Sequence, residues 1–253
     1  MASASRLLVS RGVRKLVRQP MALVMGLATS LFFLIVYNAG IGGIGNLPEF
    51  GNAGYLAFLF PLSIVSLAMG SASGAGEALH ADMQSGYFKR LYLSPAPGWA
   101  FVAAPLVADG LGTLFISAAL LGVGALFGVP FRFGWLSVVG VLGLSMLWGT
   151  LLSALSAGVM LRTGSHQGAR AVTTAVFPLI FLSTTFLPRA LVTSGWLLTV
   201  SWGNPVTYLL GGMRFLLGGT EPAHYLWIGY AFTALGALAA MLFAMSSSRK
   251  VLV

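Results

Sequence analysis

The sequence predicts an all-α integral membrane protein. It forms one domain over residues 1–253, with six transmembrane helices, an N-terminal amphipathic helix lying at the membrane surface and a re-entrant pair of short helices before the last span. Three observations predict this. First, 57% of the 253 residues are hydrophobic, 8% are charged and mean hydropathy is +0.90, whereas soluble domains carry about 25% charged residues. Second, uncharged runs recur at the length of about 20 residues that a helix needs to cross a bilayer. Third, Lys and Arg gather on alternate connections, as they do on the cytoplasmic side of membrane proteins.

The elements follow in chain order. Residues 5–18 read as an amphipathic helix instead of a signal peptide, within a segment 1–18. Val9, Val13, Leu16 and Val17 share one face, and Arg11, Arg14, Lys15 and Arg18 the other. Such a helix either lies along the inner surface with its cations on lipid phosphates or serves only as a topological anchor. Uncharged stretches 19–48 and 50–76 hold spans one and two, the second at about Tyr55–Gly74. Residues 110–131 hold the third, with room for an earlier start. Trp135–Met160, residues 171–188 and Tyr225–Ser246 supply the remaining three.

One more uncharged run, 190–213, is long enough to be a seventh span. Charge parity argues against that. With six spans and the N-terminus inside, the inner segments hold Arg6, Arg11, Arg14, Lys15, Arg18, Lys89, Arg90, Arg162, Arg170, Arg249 and Lys250. The outer segments hold only Arg132, Arg189 and Arg214. A seventh span would move Arg249 and Lys250 outside, against the usual bias. Gly195, Gly203, Pro205, Gly211 and Gly212 also break any single long helix. The segment 188–220 is therefore expected to enter the outer leaflet and return, turning at Asn204 and Pro205, with both termini cytoplasmic. Trp135, Trp196, Trp202 and Trp227 fall at expected outer boundaries, where interfacial rings belong. Trp148 falls mid-span and is assigned to packing.

Several chemistries are missing. No Gly-x-x-x-x-Gly-Lys-Ser/Thr frame surrounds Lys15, Lys89 or Lys250, so no nucleotide is expected to bind through a Walker loop. There is no cysteine. His80, His166 and His224 fall in three separate segments, so no metal site is expected, and no Gly-x-Ser-x-Gly elbow points to a hydrolase. The net charge of +9 reflects five acids more than a basic stripe, which excludes a nucleic-acid partner. Asp109, where the third span is expected to begin, caps a helix start or meets an inner-surface arginine in preference to carrying protons.

The loop 77–94, "EALHADMQSGYFKRLYLS", mixes charge and aromatic rings more densely than any other part of the chain. Glu77, Asp82, Gly86, Tyr87, Phe88, Lys89, Arg90 and Leu91 are the candidate surface for a cytoplasmic partner, since aromatics and Arg are common interface anchors. A solvated linker is the alternative. Phe177, Phe181, Phe186 and Met213 are candidates for lining a solute path, although each taken singly suits ordinary helix or lipid contact.

These same stretches resemble the ABC-2 family of export permeases, and the daunorubicin-resistance type in particular. In the loop, Asp82, Ser85, Gly86, Arg90, Leu91, Ser94 and Pro95 match, as does Asp109 at the next span, while Lys89 stands where the family often has an acid. Later, Phe177, Pro178, Phe181, Leu182, Ser183, Phe186, Pro188, Trp196, Leu197, Asn204, Pro205 and Arg214 match in order. The resemblance implies a non-enzymatic permease of the bacterial plasma membrane, paired with an identical or homologous second permease. Two cytoplasmic ATP-binding cassette subunits would bind ATP and Mg, which this chain does not. It further implies that the segment after span two is a coupling helix seated in the cassette subunit, and that the outer segment forms re-entrant helices. A drug or lipid is the expected cargo. A polysaccharide or glycolipid exporter of the same family, or a multispan membrane scaffold outside it, are the alternatives.

Overall fold

The computed structural model describes residues 20–71, 74–85 and 99–251. Every long element among them is α-helical and none is a strand. Helix α1 (Pro20–Ile41) leads through two short 3-10 turns into α2 (Gly54–Ser71) and α3 (Gly74–Gln84). Then come α4 (Trp99–Leu126), α5 (Trp135–Thr163) and α6 (His166–Phe181). Two short helices, α7 (Gly195–Gly203) and α8 (Pro205–Leu216), precede α9 (His224–Val251). The expected amphipathic helix of residues 1–18 lies outside the described residues.

Four candidate spans among the described residues are long and apolar enough to cross a membrane: Gly54–Gln84, Val102–Leu126, Trp135–Thr163 and His224–Ser248. The first and fifth spans expected from sequence are not among them. Helix α6 begins at His166 and takes in Arg170, yet it stops at Phe181. Its 16 residues cover only about 24 Å, short of the roughly 30 Å of hydrocarbon. Helix α4, which holds the expected third span, also departs from expectation. It starts at Trp99, so Asp109 sits well inside it.

Local sequence explains the corners. Gly164 takes the left-handed conformation at φ 63 and its N–H reaches Met160 O at 2.7 Å, closing α5. Ser165 then caps α6, its Oγ accepting from Gln167 N at 3.2 Å. At the other end of α5, Ser137 Oγ accepts from Phe133 N at 3.0 Å.

Helix α5 is the hub, packing on α9, α4, α3, α6, α2 and α8. Its buried face is built from small residues, Ser145, Gly149, Ser153, Ala154, Ser156, Ala157 and Gly158 among them. Small side chains let helices approach closely where the hydrophobic effect cannot drive them together. At Gly149 the approach is tight: an added Cβ would stand 2.7 Å from Thr113 Oγ1. Trp148 is buried in the same face.

The interior divides in two. The larger cluster is bulky, with Phe50, Tyr55, Phe58, Phe60, Trp148, Leu209 and Met213. The smaller one, where α3 meets α4, α5, α6 and α9, is mostly alanine and leucine. On the outside, Trp227, Phe232, Leu235, Leu238 and Leu242 of α9 stay exposed, an apolar stripe suited to hydrocarbon. Trp135, Trp196 and Trp202 are also exposed, each at a helix end.

Candidate functional site

The first group of residues lies where α3 meets the start of α6. Gly76 lets the two helices close: a Cβ there would come within 2.7 Å of Ser156 Oγ and 2.9 Å of Ala169 Cβ. Ser156 Oγ donates to Ala169 O at 3.1 Å, tying α5 to α6. Glu77 is engaged within the chain, 3.3 Å from Arg170 Nε and 3.7 Å from His166 Nε2. The His80 ring meets the His166 ring edge-on at 5.7 Å, and His80 Nε2 shares a hydrogen bond with Gln84. Two histidines that are remote in sequence thus share one surface. Among the described residues no cluster of three His, Cys, Asp or Glu side chains could hold a metal ion. Asp82 is half-buried on α3, and Ser85 Oγ donates to its carbonyl. Gly86, Tyr87, Phe88, Lys89, Arg90 and Leu91 lie outside the described residues.

Asp109 binds this group to the rest of the bundle. Its Oδ2 accepts from Ala75 N at 2.6 Å and from Ser153 Oγ at 3.0 Å. The carboxylate therefore caps the first turn of α3, not of its own helix, where negative charge suits the N–H groups and the helix dipole. Taking Asp109 as a span boundary misplaced the start of α4, because a hydrogen-bonded carboxylate is tolerated inside a helix bundle.

A second group runs along α6. Phe177 and Phe181 have ring centroids 5.1 Å apart, Phe181 and Phe186 5.8 Å, and Phe186 and Tyr37 of α1 5.3 Å. Phe177 and Phe181 are half exposed. The four rings form one continuous aromatic row. Met213 does not join it in exposure; it is fully buried in the larger cluster. Between α1, α2 and the end of α4 lies an apolar groove of about 210 Å³, lined by Leu31, Leu34, Ile35, Leu56 and Phe127, with Asn38 at its edge.

The third group closes the opposite end. Asn204 stands between α7 and α8, its Oδ1 accepting from Val206 N at 3.0 Å and its Nδ2 donating to Leu179 O at 2.6 Å. Pro205 occupies the first position of α8, where a missing N–H is harmless. With 9 and 12 residues, α7 and α8 reach only about 14 and 18 Å, so neither crosses a bilayer alone. Past α6, Ser183 Oγ and Thr185 Oγ1 both donate to Ile180 O. Arg189 lies over the Trp202 ring at 3.8 Å and bonds the Tyr225 hydroxyl, holding α7 to α9.

Sequence reasoning gave no structural role to the most unusual side chain here. Arg214 of α8 is 1% exposed. Its Nε donates to Phe58 O at 2.9 Å, Nη1 to Thr184 O at 2.8 Å and Nη2 to Thr185 O at 2.8 Å. The guanidinium rests 3.5 Å from the Phe58 ring, and Glu221 stands 3.6 Å from Nη1. The available signal was a lone arginine in an otherwise uncharged run beside Gly211 and Gly212; charge counting and the family pattern both include it, and neither assigns it a structural role.

Comparison with known proteins agrees with this architecture. The family model described as "ABC-2 type transporter" matches residues 4–217. The chain is 25% identical over 205 residues to "Daunorubicin resistance ABC transporter permease protein DrrB1" of Streptomyces coeruleorubidus, covering 79% of this chain and 70% of that protein. It is 23% identical over 209 residues to "Probable doxorubicin resistance ABC transporter permease protein DrrC" of Mycobacterium tuberculosis, covering 80% and 72%. A multi-pass helical chain matched by that model over most of its length belongs to the ABC-2 type transporter family.

Proposed function

We propose that this chain is the permease subunit of an ATP-driven exporter that carries a hydrophobic or amphipathic solute, a drug or a lipid, out across the plasma membrane. The observation that carries this is family membership over residues 4–217. The names of the two relatives, which refer to daunorubicin and doxorubicin resistance, favour a drug-like cargo. The aromatic row Tyr37–Phe186–Phe181–Phe177 and the apolar groove beside α1 supply surfaces that such a solute could wet without desolvating charge.

ATP and Mg belong to a separate cassette subunit in this reading, because no Walker frame exists here to cradle phosphates. Two cassettes and a second permease, identical or homologous, complete the transporter. The distribution of Lys and Arg favours cytoplasmic termini and a re-entrant α7–α8 pair on the outer side. The cassette seats on the loop carrying Asp82, Gly86, Tyr87, Phe88, Lys89, Arg90 and Leu91. Its motion passes from α3 to α6 through the contact at Gly76 and the Glu77–Arg170 pair.

The test is reconstitution. The chain is co-expressed with a candidate cassette ATPase from the same genome, purified, and placed in liposomes with a panel of lipophilic compounds. Co-purification, compound-stimulated ATPase and ATP-dependent efflux are expected. Solute movement by the chain alone, or no stable complex, would refute the reading. Stimulation by lipid-linked glycans but by no lipophilic compound would move it to glycan export. Tags at Thr193 and Thr220 should be reached only from outside, and one at the C-terminus only from inside. Replacing Asp82 or Arg90 should weaken docking or uncouple ATP use from efflux.

A further inference from the structure

A charge taken out of water is costly, and one kept at that cost invites a functional reading. Arg214 is the clearest case here, being 1% exposed with its nearest carboxylate, Glu221, 3.6 Å away and partly exposed. If this contact served only as a static brace, apolar side chains could do the same at lower cost, since buried ions rarely recover their desolvation. What distinguishes the contact is where its three bonds go. The turn after α6 has its own internal ties: Ser183 Oγ and Thr185 Oγ1 on Ile180 O. It can hold its shape without Arg214. The bonds from Arg214 instead run outward from α8, two to the backbone of this turn at Thr184 and Thr185 and one to Phe58 of α2.

The turn is flanked by Phe181 and Phe186, whose rings touch in the aromatic row. Anything that frees Thr184 and Thr185 from α8 also frees those two rings. Glu221 already stands 3.6 Å from Nη1, so the guanidinium keeps an ionic partner when the carbonyls leave. A cation that retains its carboxylate while giving up the carbonyls has two stable arrangements open to it, which is what a gated path requires.

We infer that Arg214 is the latch of the outer mouth, a positioning residue that holds the 182–187 turn closed against α2 and α8 and lets it go during each transport cycle while staying paired with Glu221. The inference rests on the exporter reading above. It assigns Arg214 no contact with the solute.

The chain has no cysteine, so single thiols report cleanly. Thr184→Cys places one at a side chain that is 5% exposed, and Trp196→Cys places a control at one that is 65% exposed. Each is assembled with the cassette ATPase in liposomes and treated with a membrane-impermeant maleimide, at rest and during ATP turnover. The expected result at rest is slow labelling at position 184 and fast labelling at 196. During turnover, labelling at 184 should rise at least about tenfold, the factor for one charge-assisted bond, since two hold the turn. In Arg214→Lys, which keeps the charge but cannot reach three carbonyls, labelling at 184 should be fast without ATP, with ATPase retained and efflux reduced. Glu221→Gln should leave resting protection intact and slow the turnover-dependent rise.

Position 184 staying protected throughout turnover, while 196 reacts, would leave Arg214 a permanent brace and overturn the latch. Equal resting protection in Arg214→Lys would overturn it too. If Arg214→Lys fails to assemble, the intact chain at rest and in turnover still decides the matter. If no ATPase co-purifies, the exporter reading fails by itself, and the resting comparison of Arg214 with Lys judges whether the turn is held by the fork.

Discussion

Near its N-terminal end α6 carries Arg170, an exposed side chain that meets Glu77 of α3 at 3.3 Å. Past its last turn, Arg214 reaches in from α8, is 1% exposed and donates to three backbone carbonyls. The same helix is tied at both ends by a guanidinium, under opposite dielectric conditions. At the exposed end, water and salt screen the pair and both partners can leave cheaply. At the buried end, every donor released must find another acceptor or stand orphaned. The exposed tie can transmit a push and exchange partners readily, whereas the buried one either holds or switches. Packing repeats the contrast: alanine and leucine dominate beside Arg170, while rings and branched side chains surround Arg214.

The comparison breaks most easily at Arg214. Arg214→Ala is expected to cost about 3–5 kcal/mol, the range for removing one member of a buried charged contact. Thermal unfolding of the detergent-solubilised chain, together with membrane yield, would read it, and a change below about 1 kcal/mol would equate the two ends. Asp109→Ala should follow, at about 1–3 kcal/mol for leaving Ala75 N–H without its acceptor. Asp109→Asn should recover part of that loss, since its amide oxygen can still accept. A well-assembled Asp109 variant with altered substrate range would instead make it a lining residue. Asn204→Ala should cost about 1 kcal/mol for the lost cap of α8, and more if its bond to Leu179 O also counts. Asn204→Asp separates the two, keeping the cap and dropping the donor. The smallest effect is expected for Glu77→Gln, under about 1 kcal/mol and vanishing in high salt. A salt-independent loss as large as that of Arg214→Ala would erase the distinction between the ends.

Much of the architecture was legible because bilayer physics is written into composition. Spans at Trp135–Met160 and Tyr225–Ser246 lie within helices Trp135–Thr163 and His224–Val251, since an uncharged run of that length has few alternatives. The break at Asn204–Pro205 was legible because a capping side chain followed by proline is a local signal. Helix α6 was harder. Its N-terminal end carries His166 and Arg170, which charge counting places outside a span, and its last turn is ended by hydroxyls that fold back on Ile180 O. Asp109 misled for a related reason. Its partners come from α3 and α5, which are 34 and 44 residues away in the chain.

By itself the sequence determined that this chain lives in a bilayer, that its Lys and Arg fall unequally on alternate connections, and that short helices break the run before α9. Those follow from local hydropathy, charge and backbone chemistry, which need no knowledge of neighbours. Only the tertiary structure decided that Glu77 meets Arg170, that Asp109 caps a different helix, and that Arg214 ties α2 and the end of α6 to α8. Each of these satisfies a charged group with partners distant along the chain, and such pairing is a property of packing that no single segment encodes.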